Sequence, residues 1–279
     1  MHSKIPVLAV LGRKKSGKTT VIEHLTSELL KRGFSVATSK HIGHGDFSID
    51  TEGSDTWRHS SAGANPVVAV SNNEMSIIFK VKNPKIEFIS QLLQGFGANV
   101  LMLEGFSSMV MNDKSVGKII CVRNLEEYGE FMKYAVSNVI AFCSFQDLGK
   151  PMLKISEDFP VLIDKTLKFI ERRFRVLNIL GSLAGLDCGK CGRKTCEEMA
   201  EEIYLGKASI DECFPLRIKS ELSARVSIYG QDIPLQPFVS EFIRKTVLGM
   251  ISSLKNVSIR GNEEVRIEVM GRGQINREV

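Results

Sequence analysis

The run Gly12-Arg13-Lys14-Lys15-Ser16-Gly17-Lys18-Thr19-Thr20 satisfies G-x-x-x-x-G-K-[ST] without a gap. Such a run commits a chain to a buried strand, a glycine turn and a helix in immediate succession. Both flanks supply what it demands. Pro6 to Leu11 is a short continuous apolar run, the pattern of a buried parallel strand, and Val21, Ile22, Leu25, Leu29 and Leu30 recur behind it at helical spacing. The glycines let successive backbone N–H groups turn towards a β-phosphate, and the helix adds the positive end of its dipole. Lys18 is placed to bridge β- and γ-phosphate oxygens and the Thr19 hydroxyl to bind Mg²⁺, while Gly12, Lys15, Ser16, Gly17 and Thr20 complete the cradle.

A chain of 279 residues with 43% hydrophobic content can bury a full α/β core and carry a smaller appendage. The net charge of +5 arises from 37 basic against 32 acidic side chains, and Arg13, Lys14, Lys15 and Lys18 concentrate part of the excess in the loop. That is a bias towards phosphate and not a nucleic-acid footprint. The apolar run at the N-terminus is too short for a secretory signal, and no stretch approaches the roughly 18 apolar residues of a membrane span. A cytoplasmic protein with no membrane or nucleic-acid partner is therefore expected. In a reducing compartment, the six cysteines argue for metal binding or burial before disulfides.

Periodicity predicts strands at 34–40, 99–104, 118–122 and 139–145, a strand pair at 66–70 and 75–81, and helices at 84–94, 125–134 and 161–174. Strands alternating with helices imply an α/β fold of the P-loop NTPase type, a mostly parallel sheet with helices on both faces. Three domains are expected: a nucleotide-binding domain over 1–175, a cysteine module over 176–216, and a strand–helix–strand unit over 217–279 with strands at 224–229 and 264–269. The basic cluster Arg172, Arg173 and Arg175 reads as a solvated helix end, and Met109 to Met111 as a loop or dimer contact.

Glu104 ends the run Val100-Leu-Met-Leu and precedes Gly105, so its carboxylate emerges at the carboxyl edge of the sheet beside the phosphate loop. There it can hold Mg²⁺ through water or polarise an attacking water, making Lys18 and Glu104 the catalytic candidates. The segment from Lys40 to His59 holds three of the five histidines and the single Trp. From it Lys40, His41, Asp50, Asp55 and Arg58 are candidates for nucleotide contact, with Asp50 a candidate Mg²⁺-shell acid. A solvated loop is the plain alternative.

The phosphate loop, the run Lys40-His41-x-x-His44-x-Asp46-Phe47-x-x-Asp50-x-x-Gly53-x-Asp55-x-x-Arg58, then Ala62-Gly63-Ala64 and Leu103-Glu104-Gly105-Phe106, resemble the MobB family of molybdopterin-guanine dinucleotide biosynthesis adaptor proteins over roughly residues 4 to 173. The resemblance implies a GTP-binding, weakly hydrolysing P-loop protein that is usually dimeric. It also implies a MobA-like molybdopterin nucleotidyltransferase as partner and a molybdo- or tungstoenzyme apoprotein as a further one. Asp50, Asp55 and Glu104 would then lie near Mg²⁺. The sequence has no Asn-Lys-x-Asp guanine motif, so GTP follows from the resemblance, and the residues themselves admit ATP equally.

Cys188, Cys191, Cys196 and Cys213 form C-x2-C-x4-C-x16-C, four soft ligands within 26 residues. Such a set takes Zn²⁺ or an iron–sulfur cluster. Three cysteines crowded into nine residues, with Gly189 and Gly192 freeing the backbone, favour the cluster over the paired knuckles of a zinc ribbon. The surrounding residues resemble the four-iron, four-sulfur (4Fe–4S) domain of the acetyl-CoA decarbonylase/synthase γ-subunit over about residues 180 to 215, whereas Cys121 and Cys143 fall in apolar strands as core residues. Three functions compete: an accessory GTPase of molybdenum or tungsten cofactor maturation, at most weakly enzymatic; a nucleotide-gated metallocluster carrier or redox switch; and a small-molecule P-loop kinase with Arg58 as its lid arginine.

Overall fold

The structure, a computed structural model, describes residues 4–43, 47–134, 136–221, 224–228, 231–233, 235, 237–255, 257, 265 and 267. The chain divides into two compact units, Met1–Gly181 and Ser182–Val279.

In the first unit the order is β1 (Val7–Leu11), α1 (Lys18–Lys31), β2 (Val36–Lys40), α2 (Asp55–Ser61), β3 (Val67–Val70), β4 (Met75–Ile78), α3 (Ile86–Gly95), β5 (Val100–Glu104), α4 (Ser107–Val110), β6 (Val116–Cys121), α5 (Leu125–Lys133), β7 (Val139–Ser144), β8 (Leu153–Lys154) and α6 (Phe159–Ser182). Six of the strands form one sheet in the order β2-β5-β1-β6-β7-β8, paired in parallel throughout. A continuous apolar strand serves two covered faces, since successive side chains point to opposite sides. Leu8, Val10, Val100, Met102, Ile119 and Cys121 pack with Val21, Leu25 and Leu29 of α1 and Phe169 and Ile170 of α6. Ala9, Leu11, Leu101, Leu103 and Ile120 pack instead with Ile86 of α3, Val110 of α4 and the half-buried Tyr128 and Phe131 of α5. At Gly117 α6 comes close: a Cβ there would lie 2.8 Å from Phe169 Cζ and 2.6 Å from Ile140 Cδ1.

One residue of β6 breaks the apolar rule. Lys118 is fully buried, and its Nζ donates to the Asp113 carbonyl and, at 3.2 Å, to Ser137 Oγ. Burial lowers its pKa to about 8, against an opposing pull from the nearby Asp113 carboxylate. In the unfolded chain the group returns to about 10.4. Between these values the unfolded state binds more protons, so stability rises as pH climbs from about 8 towards 10. Denaturation midpoints across this range should show that slope in the wild type and lose it in Lys118→Met; parallel slopes would refute the assignment.

β3 and β4 stand apart as a two-stranded antiparallel sheet, the strand pair expected around Asn72-Asn73. Val68, Val70, Met75 and Ile77 lie on one exposed face of it, since Val68 pairs with Ile77 and Val70 with Met75. α3 extends this apolar surface: Phe79 and Phe88 rings meet at 5.8 Å, and Leu92 and Phe96 follow Phe88 at four-residue intervals, both exposed.

Several details differ from expectation. α6 runs eight residues beyond Phe174 to Ser182, so residue 175 is interior to a helix and the compact units divide after Gly181. For the same reason Arg173 is buried, not solvated. Residues 107–110 form α4 and not a loop, turned out of β5 by Gly105 and Phe106, both with positive φ.

The second unit contains α7 (Cys196–Tyr204), a 3₁₀ turn at Ile210–Glu212, α8 (Phe214–Glu221), the hairpin β9 (Val226–Ile228) and β10 (Gln231–Ile233), and α9 (Pro237–Ser252). The chain before α9 pairs as a second strand, which the two prolines at 234 and 237 obscured in the sequence. The buried Ser240 hydroxyl donates to the Ala224 carbonyl at 3.0 Å and accepts its N–H at 2.7 Å, fastening α9 to the approach to β9. The strand expected at 264–269 lies outside the described residues, apart from 265 and 267.

Candidate nucleotide site and cysteine module

The phosphate loop leaves β1 at the centre of the sheet, where the strand order reverses, the position at which open α/β sheets bind ligands. Its shape depends on two glycines. Gly12 has φ 144°, and a Cβ there would fall 2.3 Å from the Cys121 carbonyl oxygen; Gly17 has φ 95° and would strike Phe145 Cε2 at 2.5 Å. Among the described residues, the amides of Lys15, Ser16, Gly17 and Lys18 donate to no protein acceptor. The Ser16 hydroxyl is buried without a partner. Unpaired N–H groups and a hydroxyl gathered at the start of a 14-residue helix are what an anion satisfies. Lys18 Nζ meanwhile donates to the Arg13 carbonyl at 2.7 Å, across the mouth of the turn.

Beside the loop, Glu104 reaches out from the end of β5. Its Oε2 accepts from Thr19 Oγ1 at 3.2 Å, and its Oε1 pairs with Lys40 Nζ at 3.1 Å. Two oxygens on one Mg²⁺ at about 2.1 Å lie roughly 3 Å apart at adjacent octahedral corners. The Thr19–Glu104 separation therefore fits a shared ion. β2 delivers Lys40 opposite Glu104 in register, and the His41 amide continues the ladder to the Glu104 carbonyl at 3.0 Å, its ring resting 5.2 Å from Phe106.

The hydrogen bonds of Asp50 and the ion pair of Asp55 with Arg58 are made within their own segment. Asp50 Oδ1 accepts from Thr51 N, Ser54 Oγ and Thr56 Oγ1, and Ser54 in turn caps α2 by accepting from Trp57 N. Burial opposes the charge on Asp50, but those hydrogen bonds together outweigh it and lower its pKa. Its other oxygen, Oδ2, is buried and unpaired. Asp55 pairs with Arg58 on the same helix at 3.7 Å. The segment is thus part helix, and its acids serve the local turn; His44 and Asp46 lie outside the described residues.

Sequence reasoning missed the anchoring of the loop's first cation. Arg13 pairs with Glu130 of α5 at 2.6 Å, and buried Glu127 stands 4.0 Å away while accepting from Arg123 Nε at 2.6 Å. The available signal was Asn124-x-x-Glu127, a helix-start pattern whose Asn124 accepts from Glu127 N.

In the second unit, Cys188, Cys191, Cys196 and Cys213 line one small cavity of about 10 Å³ with Leu186, Met199 and Phe214 among the other walls. Among the described residues no three His, Cys, Asp or Glu side chains are gathered as ligands of one metal ion; the four thiols share a cavity without meeting at a point. Cys196 opens α7, and its Sγ accepts from Asp187 N at 3.4 Å. Arg193 organises the loop. It donates to the Cys191 carbonyl at 3.0 Å, to Glu202 of α7 at 2.9 Å and to Glu212, just before Cys213, at 2.6 Å. Those carboxylates, Glu212 foremost, raise its pKa further. Cys121 and Cys143 are register partners in β6 and β7 and buried. Burial raises both thiols, Cys143 to about 12, which leaves them protonated and inert.

A glycine turn between the central parallel strand and a helix, open amides at that helix start, and a strand-end acid against the loop threonine define a P-loop nucleotide-binding protein. The comparison with known families makes this particular. The model described as "Molybdopterin guanine dinucleotide synthesis protein B" (MobB) matches residues 7–145, and through this domain the chain belongs to the MobB family. A second model, "Putative Fe-S cluster", matches residues 183–215 and spans all four module cysteines. A "Putative molybdopterin-guanine dinucleotide biosynthesis adapter protein" of Methanocaldococcus jannaschii is 27% identical over 94% of this chain and 97% of its own length. A "Molybdopterin-guanine dinucleotide biosynthesis adapter protein" of Haemophilus influenzae is 27% identical over 62% of this chain and 85% of its own. The solved structure of Bacillus subtilis MobB covers 60% of this chain and 98% of its own, at 24% identity and a TM-score of 0.46.

Proposed function

We propose that this chain is a GTP-binding adaptor of molybdopterin-guanine dinucleotide biosynthesis, acting in the cytoplasm beside a MobA-like nucleotidyltransferase and carrying a 4Fe–4S cluster on its four module cysteines. The observation that carries the nucleotide half is the set of open amides at Lys15 to Lys18, next to the partnerless Ser16 hydroxyl and the Thr19–Glu104 pair. The amides cradle the β-phosphate, and Lys18 exchanges the Arg13 carbonyl for phosphate oxygens. Thr19 and Glu104 would hold Mg²⁺, which neutralises charge on the triphosphate when bound. Glu104 also orients the attacking water, and any enzymatic role is that of a weak GTPase. Neither Asp50 nor Asp55 is needed in this arrangement. No helix among the described residues is long and apolar enough to cross a membrane. The assay is guanylylation of molybdopterin from GTP by the nucleotidyltransferase, run without this protein, with it, and with its Lys18→Ala variant. Stimulation by the wild type but not by the variant is expected; a rate unchanged by the wild type would refute the adaptor role.

The exposed faces of β3–β4 and α3 supply the surface for a homodimer, since so large a contiguous apolar patch is seldom left open to water on a monomer. Ile77→Asp with Phe88→Glu should convert a dimer to a monomer in light scattering without altering GTP affinity. A wild type already monomeric at micromolar concentration would exclude this interface. One observation favours a second function, a nucleotide-gated cluster carrier: Cys188 is exposed, leaving one ligand open to exchange. GTP affinity that differs between reduced and oxidised protein would support the carrier; equal affinities would leave only the adaptor.

A further inference from the structure

The strand order gives a bound triphosphate a direction. Thr19 meets Glu104 of β5, and Lys40 of β2 lies beyond, so the metal and the terminal phosphate belong on that side of β1. The nucleoside must leave on the other side, over the carboxyl ends of β6 and β7. β7 lies two strand spacings from β1, about 9.5 Å, which suits the reach of an α-phosphate and ribose from the β-phosphate.

Phe145 stands at that point, directly after β7. Its ring packs so closely on the loop that a Cβ on Gly17 would lie 2.5, 3.1 and 3.2 Å from three of its atoms. Yet the residue is 50% exposed. An aromatic ring with one side against the phosphate loop and the rest in water is a stacking surface in waiting. The chain then turns, with Gln146 N donating to Ser144 Oγ at 3.1 Å, and presents Asp147. One Asp147 oxygen accepts from Gly149 N at 3.1 Å, which fixes the carboxylate, while the other makes no hydrogen bond among the described residues.

We propose that Phe145 is the platform on which the base stacks and that Asp147 reads guanine along its Watson–Crick edge. Guanine offers two donors there, N1–H and the N2 amino group, and a carboxylate accepts both. Adenine offers an acceptor at N1 and is repelled. The assignment rests on the nucleotide-binding function above and supplies the guanine selectivity for which the chain has no Asn-Lys-x-Asp run.

The test measures affinities for GTP, ATP, XTP and inorganic tripolyphosphate by calorimetry in wild type, Phe145→Ala, Phe145→Trp and Asp147→Asn. Removing a stacking ring should weaken GTP by roughly 5- to 150-fold while leaving tripolyphosphate unchanged, and Phe145→Trp should keep GTP binding. Asp147→Asn should lose GTP and gain XTP, because the amide accepts from N1–H and donates to the O2 of xanthine. Equal weakening of GTP and tripolyphosphate in Phe145→Ala would mean that the ring only props the loop, and no weakening of either would remove it from the site. An unaltered GTP-to-XTP ratio in Asp147→Asn would overturn the reading of guanine. A wild type that binds no tripolyphosphate would overturn nucleotide binding itself, separately from both.

Discussion

Lys18→Ala should reduce affinity for GTP and for tripolyphosphate alike by about 100-fold or more, since it deletes a charge-assisted contact worth roughly 3 kcal/mol in a preorganised site. Calorimetry on the purified protein gives the result directly. The parallel loss with tripolyphosphate matters because Lys18 serves phosphates and not the base. Thermal stability should hold, because the side chain is partly exposed and its one hydrogen bond among the described residues is to the Arg13 carbonyl. Undiminished affinity in this variant would remove the loop from nucleotide binding altogether.

Cys191→Ser should abolish visible absorption and bound iron in protein purified without oxygen, and leave GTP affinity unchanged. Four thiolates are needed to complete the ligand set of a 4Fe–4S core, and the module belongs to the second compact unit, whereas the loop belongs to the first. Arg193→Ala should lower iron content as well, through geometry and not ligand loss, because Arg193 connects the Cys191 carbonyl with Glu202 and Glu212. A colourless wild type with one equivalent of zinc would replace the cluster by a single tetrahedral ion, and the cavity lined by all four cysteines would then be its site.

The nucleotide domain was legible in the sequence wherever local pattern and burial coincide. β1, β5 and β7 are continuous apolar runs, and their boundaries fall within one residue of expectation. Glu104 was readable because an acid after four apolar residues can only sit at a strand end. What escaped depends on partners distant in sequence. Lys40 meets Glu104 only because β2 and β5 pair in register, and Arg13 meets Glu130 only because α5 returns beside the loop. Asp50 escaped for another reason: the groups that donate to it are local, serine and threonine hydroxyls of its own turn that no periodicity announces. Arg193 is similar, one of three basic residues among the cysteines, whose role appears only when α7 and the 3₁₀ turn fold back to it. Phe145 looked like the last apolar residue of a strand until Gly17 was found beneath its ring.

The ion pair between Lys40 and Glu104 carries a consequence for the order of events. A lone divalent cation approaching this carboxylate meets an ammonium group already in residence 3.1 Å from it, so free magnesium gains little there. A polyanion changes the balance, drawing the lysine towards itself and leaving the acid in want of positive charge. Cation and triphosphate should therefore arrive as a pair, each raising the other's occupancy, and an empty molecule in a magnesium-rich solution should stay empty.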